Sequence, residues 1–201
     1  MANISLLAPL LGPVLGAFLI DYVSWHWGFV AIAVLALLSW IGLKKQMPSQ
    51  QVSVTKQPFS YLFDDFKKVF TNRRFLGLSL ALPLVGMPLM LWIALSPIIL
   101  VDELKLTSVQ YGLAQFPVFL GLIVGNIVLI KIIDRLSLGK TVMMGLPIML
   151  IGTLILILGV VWQTYLIPCL LTGMTLICFG EGISFSVLYR FALMSSEVSK
   201  G

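Results

Sequence analysis

Charged side chains are scarce in this 201-residue chain: Asp, Glu, Lys and Arg together make up 10% of it, whereas hydrophobic residues make up 59%. A soluble domain of this length needs far more polar surface, so the composition excludes a soluble globular protein. The mean hydropathy is +1.06, and several uncharged runs are long enough to cross a bilayer. The composition therefore predicts an all-α polytopic membrane protein.

Residues that carry catalysis or bind metals are also scarce. The chain has one histidine, His26, and two cysteines, Cys169 and Cys178. His26 lies between two tryptophans, where an interfacial side chain is expected, and both cysteines lie in an apolar run, where they are interpreted as small buried side chains. There is no Walker loop, HExxH, GxSxG or dinucleotide fingerprint. We predict no enzyme activity, no cofactor and no metal site.

The uncharged runs predict six transmembrane helices. Thr107 and Gln110 have the spacing of a capping box at the start of the fourth. The run from Thr141 to Tyr189 contains one charge and is long enough for two spans, so the chain must reverse at residues 162–165. The predicted spans are residues 2–20, 28–43, 75–101 and 108–130, with the last two inside 141–189.

One extended polar segment, residues 44–74, separates the second and third spans. Its first part is rich in Gln, Ser and Pro and is typical of a linker. Residues 58–74 place their aromatic and aliphatic side chains at helical spacing, with Asp64 and Lys68 paired on the other face. This pattern predicts an amphipathic helix on the membrane surface; docking against a partner helix is the alternative.

Basic residues lie almost entirely on one side of the predicted topology. If every span crosses, residues 44–74, 131–140 and 190–201 share a side and hold twelve of the thirteen Lys and Arg residues, all except Lys105. By the positive-inside rule both termini are cytoplasmic. The net charge of +5 is thus explained by topology and lipid headgroups, and no nucleic-acid partner is expected.

Small residues recur every fourth position in the first span, at Ala8, Gly12 and Gly16, with Pro9 and Pro13 beside them. On a helix they form a smooth stripe that lets another backbone approach closely. Such prolines remove helical hydrogen bonds, which a membrane helix packed against neighbours can tolerate. The stripe is either a simple packing seam or a bendable seam between the halves of a transporter.

Glu181 is the acidic residue placed well inside a predicted span, between Gly180 and Gly182. A charge there costs several kcal/mol, so the carboxyl should face the bundle interior or a wet cavity, or stay protonated. It either carries protons or binds cations, or it is a neutral carboxyl hydrogen-bonded to a nearby helix.

Several stretches in order resemble drug:proton antiporters of the major facilitator superfamily. The pattern Gly12-Pro13-x-x-Gly16 matches the antiporter motif of their fifth helix, and the similarity continues through residues 91–99, 111–119 and 125–126. The resemblance covers nearly the whole chain. It implies two six-helix halves, of which this chain corresponds to helices five to ten, a partial superfamily fold.

The resemblance divides the chain into three parts. Residues 1–43 correspond to the last two helices of the N-terminal half, 44–74 to the cytoplasmic linker with its amphipathic helix, and 75–201 to the first four helices of the C-terminal half. On this reading the chain is an incomplete copy that cannot couple transport alone. The family's cytoplasmic loop motif corresponds to Asp134, Arg135, Gly139 and Lys140.

The resemblance also implies a central drug cavity. The family's essential acids lie on a helix with no counterpart in this sequence, and Glu181 has no acidic counterpart that can be carried over. The cavity-lining residues implied by the resemblance are Asn3, Ser5, Ala8, Pro9, Leu89, Met90, Ile93, Phe119 and Leu122.

The expected function is therefore a part in the export of lipophilic drug-like compounds by proton antiport. The resemblance implies a monomer in the bacterial inner membrane whose partners are drugs, protons and the lipid bilayer. Two other classes remain open from the sequence: a self-contained six-helix channel or permease subunit with other substrates, and a membrane scaffold or assembly factor.

Overall fold

The structure, a computed structural model, describes residues 12, 15, 16, 24–46, 67 and 70–195. Two short elements connect the main helices: a π-helix, Ile98–Glu103, and a 3₁₀ turn, Gln163–Tyr165. The main helices are α1 (Trp25–Gln46), α2 (Arg73–Pro97), α3 (Ser108–Ile132), α4 (Leu138–Val161) and α5 (Leu166–Ser195).

Five helical segments of the described chain are long and apolar enough to cross a membrane. They correspond to the second to sixth predicted spans and confirm an all-helical, multi-pass architecture. The first predicted span lies outside the described residues except for Gly12, Leu15 and Gly16, which have helical backbone. The amphipathic helix predicted for 58–74 also lies largely outside them. The spanning segments are His26–Gln46, Arg73–Glu103, Ser108–Ile132, Leu138–Val161 and Gln163–Ser195.

The predicted start of α3 and the predicted reversal before α5 are both confirmed. The Thr107 backbone N–H donates to the Gln110 side chain at 2.9 Å, and the Gln110 N–H donates to the Thr107 hydroxyl at 3.3 Å. These two bonds satisfy donors that have no partner within the helix. The chain leaves α4 at Trp162 and reverses through the 3₁₀ turn.

Helix α2 begins earlier than the sequence predicts. The Asn72 side chain accepts hydrogen bonds from the backbone N–H groups of Arg74 and Phe75, each at 3.1 Å. Asparagine is a preferred N-cap because its oxygen satisfies these free donors. Arg73 and Arg74 therefore form the first turn of the spanning helix and do not extend the amphipathic helix of the linker.

Three prolines lie in α2: Pro83, Pro88 and Pro97. The helix continues through Pro83 and Pro88, and α-helical geometry ends only after Pro97, where the π-helix starts. Each proline leaves the carbonyl four residues earlier without its helical donor. The departure from α-helical geometry therefore lies at one end of the span and not in its middle.

Helix α5 is the centre of the described bundle, because it packs against α2, α3 and α4. The Asn72 side-chain amide donates to the Ser195 carbonyl at 2.9 Å and ties the start of α2 to the last turn of α5. A hydrophobic core lies between α2, α3 and α5. It contains Leu89, Trp92, Leu100, Ala114, Val118, Phe119, Met174, Ile177 and Cys178.

Glycines permit the close approach of α5 to its neighbours. A Cβ added to Gly152 of α4 would lie 2.6 Å from the Gly173 carbonyl oxygen, and one added to Gly180 would lie 2.5 Å from that of Gly145. Such distances leave no room for a side chain. Gly121 and Gly125 of α3 have the same role, since a Cβ on either would meet the α5 backbone.

Helix α1 presents apolar side chains in every direction. Residues 29–46 are all exposed with respect to the rest of the described chain. A helix that is apolar all round is typical of a membrane span or of a helix packed inside a larger assembly.

Candidate drug-binding cavity

A cavity of about 740 Å³ lies between α2, α3 and α5. Its volume falls within the range of sites for small organic molecules. Helix α2 supplies one wall, α3 contributes two residues, and the middle of α5 supplies the other wall. The lining residues are Leu82, Pro83, Leu84, Gly86, Met87, Leu89, Met90, Leu122, Asn126, Glu181, Gly182, Phe185 and Ser186.

Glu181 supplies the cavity's acidic group. The residue is 5% exposed, and its Oε2 atom has no hydrogen-bond partner in the described part of the chain. Its other oxygen, Oε1, faces α2 and would lie 3.7 Å from a Cβ built on Gly86. No lysine or arginine lines the cavity within the described residues. A buried carboxyl without a partner is costly whether ionised or neutral, so a ligand group that paired with the Glu181 carboxyl would offset that cost.

The rest of the wall is apolar and adaptable. Met87 and Met90 provide flexible thioether side chains, which conform to ligands of different shapes. Phe185 provides an aromatic face that can stack on a ring or cover a cation. The Asn126 side-chain amide already donates to the Leu122 carbonyl at 3.0 Å, which leaves its oxygen available. The cavity combines a large apolar surface with a few convergent polar groups, as drug-binding sites do.

The structure brings three of the nine expected cavity residues to this site: Leu89, Met90 and Leu122. Phe119 is 4% exposed and packs in the core, and Ile93, 48% exposed, does not line the cavity. Ile93 lies almost one helical turn beyond Met90, the last residue of α2 that lines the cavity. Asn3, Ser5, Ala8 and Pro9 lie outside the described residues.

The residues of the two family motifs lie elsewhere. Gly12 and Gly16 have helical backbone, and no described atom lies within 4 Å of a Cβ built on either; Pro13 is outside the described residues. Asp134 and Arg135 lie in the exposed turn after α3, and Gly139 and Lys140 lie in the exposed first turn of α4. The seam and the loop motif both stay predictions.

A buried polar network between α2 and α3 is a feature that the sequence reasoning missed. Trp92 Nε1 donates to Gln115 Oε1 at 2.6 Å, and Gln115 Nε2 donates to the Ser96 hydroxyl at 2.9 Å. The Ser96 and Tyr111 hydroxyls lie 3.3 Å apart. Ser96 and Gln115 are at most 1% exposed. The signal in the sequence is the presence of Ser96 and Gln115 inside uncharged spans, because polar side chains within a membrane form hydrogen bonds between helices.

Metal-binding residues do not cluster in the described part of the chain, where no three His, Cys, Asp or Glu residues lie together. Cys178 is fully buried in the core, and Cys169 is half-buried. Neither forms a disulfide.

Comparison with known proteins identifies the kind of molecule to which this cavity belongs. The family model described as Major Facilitator Superfamily matches residues 2–200. Over all 201 residues the chain is 94% identical to the chloramphenicol resistance protein CraA of Acinetobacter baumannii. It is 37% identical to the multidrug transporter MdfA of Yersinia pestis bv. Antiqua and 38% identical to that of Escherichia coli O6:H1.

The chain spans about half the length of the curated relatives it matches, 49% in each of these three cases. All three are named for drug resistance or transport. The family match favours the transporter interpretation over the separate channel and the scaffold.

Proposed function

Because this chain belongs to the major facilitator superfamily, we propose that it forms part of a secondary active transporter that exports lipophilic drug-like compounds by proton antiport. The observation that carries the proposal is the apolar cavity between α2, α3 and α5, with the unpartnered carboxyl of Glu181 in its wall. The name of the relative that is 94% identical supports chloramphenicol as one substrate.

The cavity holds the drug through its apolar wall, and Glu181 responds to the ligand's charge. An ionised carboxylate in apolar surroundings is expensive, so the empty site favours a protonated Glu181. A lipophilic cation beside the Glu181 carboxyl stabilises the ionised form and displaces the proton. The proton and the cationic drug then compete for one carboxyl. Such competition is the least that a binding site must provide if the transporter is to exchange one for the other.

Transport requires the site to open alternately to either side of the membrane. In this proposal residues 1–43 belong to one half, residues 75–201 belong to the other, and the Gly12–Gly16 helix forms the seam on which they rock. Both termini of this chain lie on the cytoplasmic side of a bacterial inner membrane, and the distribution of basic residues supports this orientation. The transporter acts as a monomer.

The test is a chimera in which residues 1–201 replace the matching segment of Acinetobacter CraA. We expect the chimera to protect a susceptible bacterial host from chloramphenicol as well as the unmodified relative does at equal expression. A chimera that reaches the membrane in equal amount and gives no protection would contradict the proposal.

A further inference from the structure

Gly86 of α2 is buried and faces two cavity residues of α5, Glu181 and Phe185. A Cβ built on Gly86 would lie 3.2 Å from Phe185 Cε2 and 3.7 Å from Glu181 Oε1. Glu181 and Phe185 are four residues apart and therefore share one face of the helix. The absence of a side chain at Gly86 is what allows both to lie close to α2.

The backbone of α5 cannot retreat from α2 at this level, because its other faces are in close contact. A Cβ on Gly182 would lie 2.5 Å from the Leu122 carbonyl oxygen of α3, and one on Gly180 would lie 2.5 Å from the Gly145 carbonyl oxygen of α4. Any group added at Gly86 must therefore be accommodated by a side chain. Phe185 is the nearest, and with 38% of its surface exposed it has room to move.

The exposed surface of Phe185 lies partly in the cavity, which the ring lines together with Gly86. A ring displaced from α2 occupies space next to Glu181 that a ligand would otherwise fill. We infer that Gly86 is a specificity-determining residue. Because it has no side chain, the Phe185 ring can lie against α2, and this leaves room beside Glu181 for the bulky part of a lipophilic ligand. This inference rests on the proposed function, namely that this cavity is the drug site.

The experiment uses the purified CraA chimera and two phosphonium cations of equal charge, tetraphenylphosphonium and the smaller methyltriphenylphosphonium. Gly86→Ala is expected to weaken tetraphenylphosphonium binding about tenfold more than binding of the smaller cation, the size of effect typical of a lost fit in an apolar pocket. Gly77→Ala is the matched control in the same helix, because no atom of the described residues lies within 4 Å of a Cβ built on Gly77. It should change neither dissociation constant.

A second variant tests the cause. Adding Phe185→Leu to Gly86→Ala removes the displaced ring and should restore the ratio of the two dissociation constants. Phe185→Leu alone should favour the larger cation, and it provides the same test if Gly86→Ala does not fold. Equal weakening of both cations by Gly86→Ala, or no recovery in the double variant, would overturn the inference alone. Failure of the unsubstituted chimera to bind either cation would overturn the inference, and failure of the same chimera to protect cells from chloramphenicol would refute the proposed function as well.

Discussion

The indole nitrogen of Trp92 donates a hydrogen bond to the side-chain oxygen of Gln115 at 2.6 Å, with both residues at most 5% exposed. This bond joins α2, which forms one wall of the cavity, to α3. Gln115 also donates to the Ser96 hydroxyl, so a single amide fixes two positions of α2, four residues apart. The orientation of the cavity wall depends on this contact.

Replacing Gln115 with Leu should destabilise the protein. The change leaves the Trp92 N–H without an acceptor in a buried position, which typically costs about 1–3 kcal/mol. Thermal unfolding of the purified chimera in detergent measures the effect. Gln163→Leu is the control, because Gln163 is exposed in the turn before α5, and its effect should stay within about 0.5 kcal/mol. Equal stability of the two variants would show that the network does not hold α2 to α3.

Replacing Gly152 with Ala should also destabilise the protein, for a steric reason. The new methyl group would lie 2.6 Å from the Gly173 carbonyl oxygen, so α4 and α5 must move apart, at a cost of about 1–3 kcal/mol. Gly139→Ala in the first turn of α4 provides the comparison, because a Cβ built there has no neighbour within 4 Å among the residues that the structure describes. Alanine there should leave the melting temperature unchanged or raise it slightly. A Gly152→Ala protein as stable as Gly139→Ala would disprove the close approach.

Two variants of Asn72 separate its two roles. Asn72→Asp keeps the oxygen that caps α2 but loses the amide donor to the Ser195 carbonyl, whereas Asn72→Ala loses both. We expect the alanine variant to lose about 1 kcal/mol more than the aspartate variant, the usual value of an N-cap. Hydrogen exchange of the first turn of α2 should rise only in the alanine variant, and a rise in both would show that the Ser195 bond holds that turn.

Replacing Glu181 with Gln should change ligand selectivity. The amide has nearly the same shape but cannot carry a negative charge, so the cavity loses its attraction for cations. Tetraphenylphosphonium binding to the chimera should weaken by about tenfold or more, equivalent to about 1.4 kcal/mol, while binding of neutral chloramphenicol changes little. Glu103→Gln, on the exposed side of the π-helix, is the control. If Glu181→Gln leaves cation binding unchanged, the carboxyl has a structural role only.

The helical architecture could be predicted from the sequence because every span must be long enough to cross the bilayer and apolar enough to lie in it. The start of α3 followed from the Thr107–Gln110 capping box, and the reversal at residues 162–165 followed from the only polar break in a long apolar run. The structure starts α2 before the predicted span, because the Asn72 side chain caps the helix at that point.

The residues of the cavity are harder to predict from the sequence than the helices. Whether a residue lines the cavity depends on which helices pack around its own helix. Glu181 could be singled out because an acid inside a span is expensive. Its position opposite Gly86 depends on how α2 and α5 pack, which periodicity does not determine. The placement of Phe119 in the core has the same origin, as its face of α3 meets α5. The seven-residue spacing of Gly145, Gly152 and Gly159 was a readable signal for the α4–α5 contact that went unused.

The central claim is that the cavity between α2, α3 and α5 binds the exported compound. The most direct test is the rate at which N-ethylmaleimide modifies a single cysteine at Ser186, inside the cavity, in a CraA chimera whose other cysteines have been replaced. Thr164→Cys, in the exposed turn before α5, serves as the reference site. We predict that saturating chloramphenicol slows the reaction at position 186 and leaves that at position 164 unchanged. Equal rates at position 186 with and without chloramphenicol, in a chimera that confers resistance, would contradict the claim.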